Sequence, residues 1–82
     1  MTVTVHLFAR ARELAAADTV SLNLSPGATV ADLRRALAER YPALEAILSV
    51  SMIAVNHEFA ADELVLGDAE LAIIPPVSGG DR

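Results

Sequence analysis

The chain has 82 residues, 54% of them apolar, with a net charge of −5 and no cysteine. That length holds one domain burying roughly 60 to 65% of its unfolded surface, and the missing thiols exclude a disulfide frame, a thiolate metal site, a cysteine nucleophile and a persulfide carrier. Eleven acids outweigh six bases, a balance that disfavours nucleic acid and suits a basic protein partner.

All six bases are arginine (Arg10, Arg12, Arg34, Arg35, Arg40 and Arg82), so the chain cannot build a branched polymer on its own lysines. Its longest apolar runs are far shorter than the roughly 20 residues of a membrane span, so no signal peptide and no membrane attachment are expected, and the expected location is cytoplasmic. Much of the apolar content is alanine, which fills little volume. Some apolar surface is therefore expected to stay outside, where a partner could cover it.

Val3, Val5 and Leu7 alternate with Thr4, His6 and Phe8, predicting a half-buried strand over 2–8. Ala9 to Ala17 holds good helix formers and predicts one or two helical turns leading to a bend at Asp18. Val20, Leu22 and Leu24 alternate with Ser21, Asn23 and Ser25 up to Pro26-Gly27, which predicts a second strand antiparallel to the first. Thr29-Val30-Ala31-Asp32 has the form of a capping box. From there Val30, Leu33, Leu37 and Tyr41 form one stripe of an amphipathic helix, opposite Arg34, Arg35, Glu39 and Arg40, and the helix ends before Pro42. A short helical piece over 43–48 presents Leu44, Ile47 and Leu48. Met52 to Val55 reads as a strand, Asn56-His57 as a tight turn into Glu58-Phe59, 60–66 as irregular, Gly67-Asp68 as a turn and Glu70 to Ile74 as the last strand. The first and last strands are expected to lie side by side, in a sheet wrapping one main helix.

After Ile74 the chain reads Pro75-Pro76-Val77-Ser78-Gly79-Gly80. The two prolines stop the sheet and hold the chain extended, and the two glycines present no side chain against close approach of another surface. A domain over 1–76 with a flexible tail over 77–82 is expected. The tail is where function should be read.

These residues resemble the small subunit of molybdopterin synthase, a β-grasp sulfur-carrier family related to ubiquitin. The resemblance covers nearly the whole chain. It is carried by residues 5–14 (Val5-His6-Leu7-Phe8 onward), by Thr29-Val30-Ala31-Asp32-Leu33, by Ala54-Val55-Asn56 and, most specifically, by the block from Gly67-Asp68 to Gly79-Gly80. It implies an α+β fold, a β-grasp with a mixed sheet of four to five strands wrapping one main helix.

It also implies a cycle at Gly80, in which an E1-like adenylating enzyme uses ATP to activate the glycine carboxylate and sulfur displaces AMP to give a thiocarboxylate. The tail then enters the large synthase subunit, where the sulfur passes to cyclic pyranopterin monophosphate to build the dithiolene of the molybdenum cofactor. On this reading Gly80 is the carrier, Gly79 gives clearance, and Phe8, Ile74, Pro75, Pro76, Val77 and Ser78 bind the partner. The chain binds no cofactor of its own and is a co-substrate, not catalytic alone. It is expected to be a monomer by itself and a heterotetramer with the large subunit.

One departure from the family pattern is that Asp81-Arg82 follow Gly80, so that Gly80 has an amide in place of a carboxylate. Either a peptidase removes the dipeptide, or these residues do not belong to the mature protein, or the chemistry is lost. The alternatives of another class are a β-grasp sulfur carrier of another pathway (thiamine, tRNA or cysteine) and a ubiquitin-like modifier or binding module with a blocked tail.

His6 and His57, without a carboxylate cluster nearby in sequence, read as surface or turn residues, and no metal is assigned. Ser78 has no base within reach and reads as a hydrogen-bonding tail residue. Asp62, Glu63, Asp68 and Glu70 read as a solvated acidic edge or a landing site for a basic partner. If Val3, Val5 and Leu7 face the helix, parity puts His6 and Phe8 on the opposite face with Ala72 and Ile74, which predicts an apolar interface centre there.

Overall fold

The computed structural model describes residues 1–76. Five strands form one mixed sheet in the order β2-β1-β5-β3-β4. These are β1 (Thr2–Leu7), β2 (Thr19–Asn23), β3 (Met52–Val55), β4 (Glu58–Phe59) and β5 (Leu71–Ile74). The first and last strands pair in parallel at the centre, with Val5 opposite Leu71 and Leu7 opposite Ile73. β2 and β3 flank them antiparallel, and the two-residue β4 closes the far edge.

Three helices follow from local sequence: α1 (Ala9–Ala15), α2 (Val30–Arg40) and α3 (Glu45–Leu48), the last entered through a 3₁₀ turn at Pro42–Leu44. The capping box of α2 forms as the sequence predicts. The Asp32 backbone N–H donates to the Thr29 hydroxyl, and the Thr29 backbone N–H donates to the Asp32 carboxylate. Val30, Leu33 and Leu37 are fully buried against Val3, Val5, Leu7, Val20, Leu22, Ile53, Leu71 and Ile73 of the sheet's inner face. Each such side chain contributes about 1.5 to 3 kcal/mol by leaving water. The expected sheet around one main helix is present, with five strands.

Several boundaries differ from the sequence reading. β1 stops at Leu7 because Phe8 becomes the residue that enters α1, and the strand predicted up to the Pro26-Gly27 turn ends at Asn23. Tyr41 does not continue the buried stripe: it caps α2 and is only partly covered, with the Arg40 guanidinium 5.4 Å from its ring centroid. Arg34 does not belong to the solvated side. Its guanidinium donates to the Leu48 and Ser51 carbonyls and to Asp62, so it ties α2 to the end of α3 and to the loop before β5.

Candidate functional site

With Val3, Val5, Leu7, Leu71 and Ile73 pointing inward, strand alternation assigns the other face of the sheet. That outer face has two halves. The β1–β2 half is polar, made of exposed Thr2, Thr4, Thr19, Ser21 and Asn23. The β5–β3–β4 half is apolar: Ala72, Ile74, Met52, Ala54 and Phe59 lie side by side through the pairings of Ala54 with Ala72 and Phe59 and of Met52 with Ile74. Phe8, 48% exposed, and Phe59, 61% exposed, stand over it.

A concavity of about 320 Å³ opens there, lined by Phe8, Ala54, Phe59, Ala72 and Ile74, with His6, His57 and Glu70 along its polar rim. It lies on the strand from which the chain leaves through Pro75, buried, and Pro76, exposed. Two of the residues singled out as partner-binding, Phe8 and Ile74, thus share one pocket. Pro75 does not join them as open surface, because the domain already covers it. Val77, Ser78, Gly79 and Gly80 lie outside the described residues, as does the tail over 77–82.

Two places beside this pocket break local rules of chain conformation. Phe8 occupies the N-cap of α1, a position that favours Ser, Thr, Asp or Asn, and makes no side-chain cap bond. The next residue, Ala9, has φ +52°, a left-handed conformation that glycine would favour. Across the pocket, Asn56 and His57 turn the chain from β3 into β4 with φ +52° and +70°. That is the pattern of a tight hairpin turn whose second position is ordinarily glycine. Both places set a side chain, Phe8 and His57, at the same concavity.

His6 and His57 lie at the surface and in a turn, as the sequence reads, but both meet one carboxylate that the sequence did not bring to them. His6 Nε2 lies 3.4 Å and His57 Nε2 3.1 Å from the Glu70 carboxylate, one at each oxygen. The Asn56 side-chain carbonyl accepts from the Glu70 backbone N–H, and the Asn56 N–H donates to the Glu70 carbonyl, so the turn clamps Glu70 from both sides of its backbone. Among the described residues no group of three side chains is placed to hold a metal ion. The acidic edge also divides: Asp62 pairs with Arg34 at 3.0 Å and Glu70 faces the histidines, while Glu63 and Asp68 are exposed. The sequence places Glu70 only within an acidic stretch, a solvated edge or a landing site for a basic partner, and does not show its pairing with the two histidines. The available signal was an Asn-His turn without glycine, and using it required the pairing of β3 with β5.

A family model described as the ThiS family matches residues 5–80. Over 79 residues the chain is 39% identical to the molybdopterin synthase sulfur carrier subunit of Arabidopsis thaliana, covering 95% of this chain and 82% of that protein. The crystal structure of SAMP1 from Haloferax volcanii superposes with a TM-score of 0.85 at 34% identity, over 98% of this chain and 100% of that one. A chain in the complex of subunits 1 and 2 of molybdopterin-converting factor from Helicobacter pylori matches with a TM-score of 0.69 at 26% identity, over 98% and 100%. The fold is the ubiquitin-like β-grasp.

Proposed function

This chain belongs to the ThiS family, and on that premise we propose that it is the sulfur carrier subunit of a molybdopterin synthase, delivering thiocarboxylate sulfur from Gly80 to cyclic pyranopterin monophosphate. The observation that carries this reading is the near full-length likeness to sulfur carrier subunits, together with a family match that runs through Gly79-Gly80. The chemistry explains the tail. A carboxylate resists nucleophiles, so ATP first converts it to an acyl adenylate with loss of pyrophosphate, and a sulfur donor then displaces AMP. Bare Gly79 and Gly80 let two different enzymes enclose the same carboxyl carbon, and any four residues, when drawn out, span at most roughly 13 Å, enough to enter a narrow site.

The partners on this reading are an E1-like adenylating enzyme and a large synthase subunit. The carrier is monomeric alone and forms a heterotetramer with the large subunit, in the cytoplasm. No helix among the described residues is long and apolar enough to cross a membrane. The apolar half of the outer face is the docking surface, with Phe8 and Ile74 at its centre, and Pro76, Val77 and Ser78 lead the tail into the partner. A match to one chain of a two-subunit converting-factor complex supports this arrangement. Replacing Phe8 with aspartate is expected to weaken binding to the large subunit by about 2 to 4 kcal/mol, as for a buried aromatic anchor. The free protein should keep its thermal midpoint, since Phe8 lies outside the core. Calorimetric titration and thermal melting read the two effects separately.

In this sequence Asp81 occupies the Gly80 carboxyl as an amide, so adenylation requires prior hydrolysis of the Gly80–Asp81 bond. The test compares the 82-residue chain with one ending at Gly80, each incubated with ATP, sulfide and the activating enzyme and read by intact mass. The shorter chain should show the mass gain of an oxygen-to-sulfur exchange and then sulfurate the pterin with purified large subunit, and the longer one should do neither. Sulfur transfer by a demonstrably intact 82-residue chain would rule out Gly80 as carrier. The likeness to SAMP1, a small archaeal modifier protein by name, favours a second reading, in which the activated Gly80 carbonyl is joined to an amine of another protein. Covalent conjugates in place of free thiocarboxylate would mark it.

A further inference from the structure

We propose that Glu70, set between His6 and His57 at the rim of the apolar pocket, is the docking point for a cationic side chain, Lys or Arg, that the large subunit presents beside its apolar anchor. The proposal rests on the carrier reading above and identifies the chemistry its docking surface selects. Glu70 is half exposed, and among the described residues no arginine engages either of its oxygens: the ion pairs of Arg10, Arg12, Arg34 and Arg35 go to Glu13, Asp18, Asp62 and Asp32. Its charge therefore faces outward at the mouth of an otherwise apolar concavity.

The backbone beneath it is fixed by both hydrogen bonds of Asn56, which preorganises the carboxylate at that mouth. His57 is kept in a left-handed turn conformation that glycine would favour, with its imidazole nitrogen 3.1 Å from Glu70. The groups facing Glu70 are His6 from β1 and His57 from the β3–β4 turn. Asp68 lines the adjoining groove with His6 and Glu70, and Glu58 follows the turn on β4. Glu70, with Asp68 beside it, makes this rim anionic and attracts a cation.

Calorimetric titration of the 82-residue chain with the large subunit, at low and at high salt, tests this. Glu70→Gln should bind roughly tenfold more weakly than wild type at low salt, and its affinity should fall less than that of wild type as salt rises. Glu39→Gln, which removes an equal charge from the exposed surface of α2 away from the pocket, should bind as wild type does. Unchanged thermal midpoints of both variants exclude misfolding as the cause of any loss. Equal affinity and equal salt dependence for wild type and Glu70→Gln overturn the proposal and leave the carrier reading standing. If wild type fails to bind at either salt concentration, the docking surface itself is wrong and the proposal falls with it.

Discussion

Asp32 sits below the ordinary aspartate range chiefly because the Thr29 backbone N–H donates to its carboxylate. Desolvation works against this, while the Thr29 hydroxyl and the Arg35 guanidinium add to the lowering. A folded-state value below the unfolded one means that the charged form stabilises the fold above the ordinary aspartate value of about 3.9. The contribution is lost as pH falls through the lowered value. Thermal melts of Asp32→Asn against wild type should therefore differ at neutral pH and converge in strong acid. Thr29→Ala, which removes the reciprocal cap, is expected to cost about 1 kcal/mol in urea unfolding. His57→Gly runs the other way: at φ +70° the substitution relieves a left-handed side chain, and a gain of about 1 kcal/mol is expected by the same measurement.

The elements are joined by fewer devices than their number suggests, and Arg34 is the most consequential. Side-chain exposure of 24% and three separate acceptors make it a bracket between α2, the carbonyl end of α3 and the loop that carries Asp62. Arg34→Met keeps the stem and leaves the Leu48 and Ser51 carbonyls without their donor, so a loss of about 2 kcal/mol is expected. Arg34→Lys should recover only part of it, because one ammonium must replace both Nη1, which donates to the two carbonyls, and Nε, which donates to Asp62. Amide hydrogen exchange should place the loss in α3 and the segment after it. β4, only two residues long, closes one sheet edge with little ladder left to recruit another chain.

For the whole molecule, the balance is set by one small core beneath the sheet. A domain of this size is stabilised by roughly 4 to 12 kcal/mol in total, and truncating a fully buried leucine costs about 2 to 5 kcal/mol. Leu37→Ala, at a position with no exposed surface, should lower the urea midpoint steeply. Saturating large subunit should raise it again, because a ligand that binds only the native state stabilises it by mass action. Of the apolar half of the outer face Ala54 is buried, while Phe8, Met52 and Phe59 stay exposed in the free chain, and the polar β1–β2 half keeps the rest of that face in water.

Local chemistry was enough to specify much of this from sequence. Alternation in β1 and β2, the Thr29 to Asp32 cap, the proline that ends α2 and the apolar parity that turns Phe8 and Ile74 outward all depend on residues close together in the chain. The di-glycine tail was legible for the same reason, as an absence of side chains at named positions. What needed the tertiary structure depends on register between distant segments. Pairing of β1 with β5 and of β5 with β3 brings His6, His57 and Glu70 to one rim, and no spacing along the chain encodes that meeting. Arg34 likewise read as a solvated helix residue, because its acceptors lie 14 to 28 residues away. Long side chains and half-polar strands acquire their roles only when loop closure has fixed which neighbours they meet.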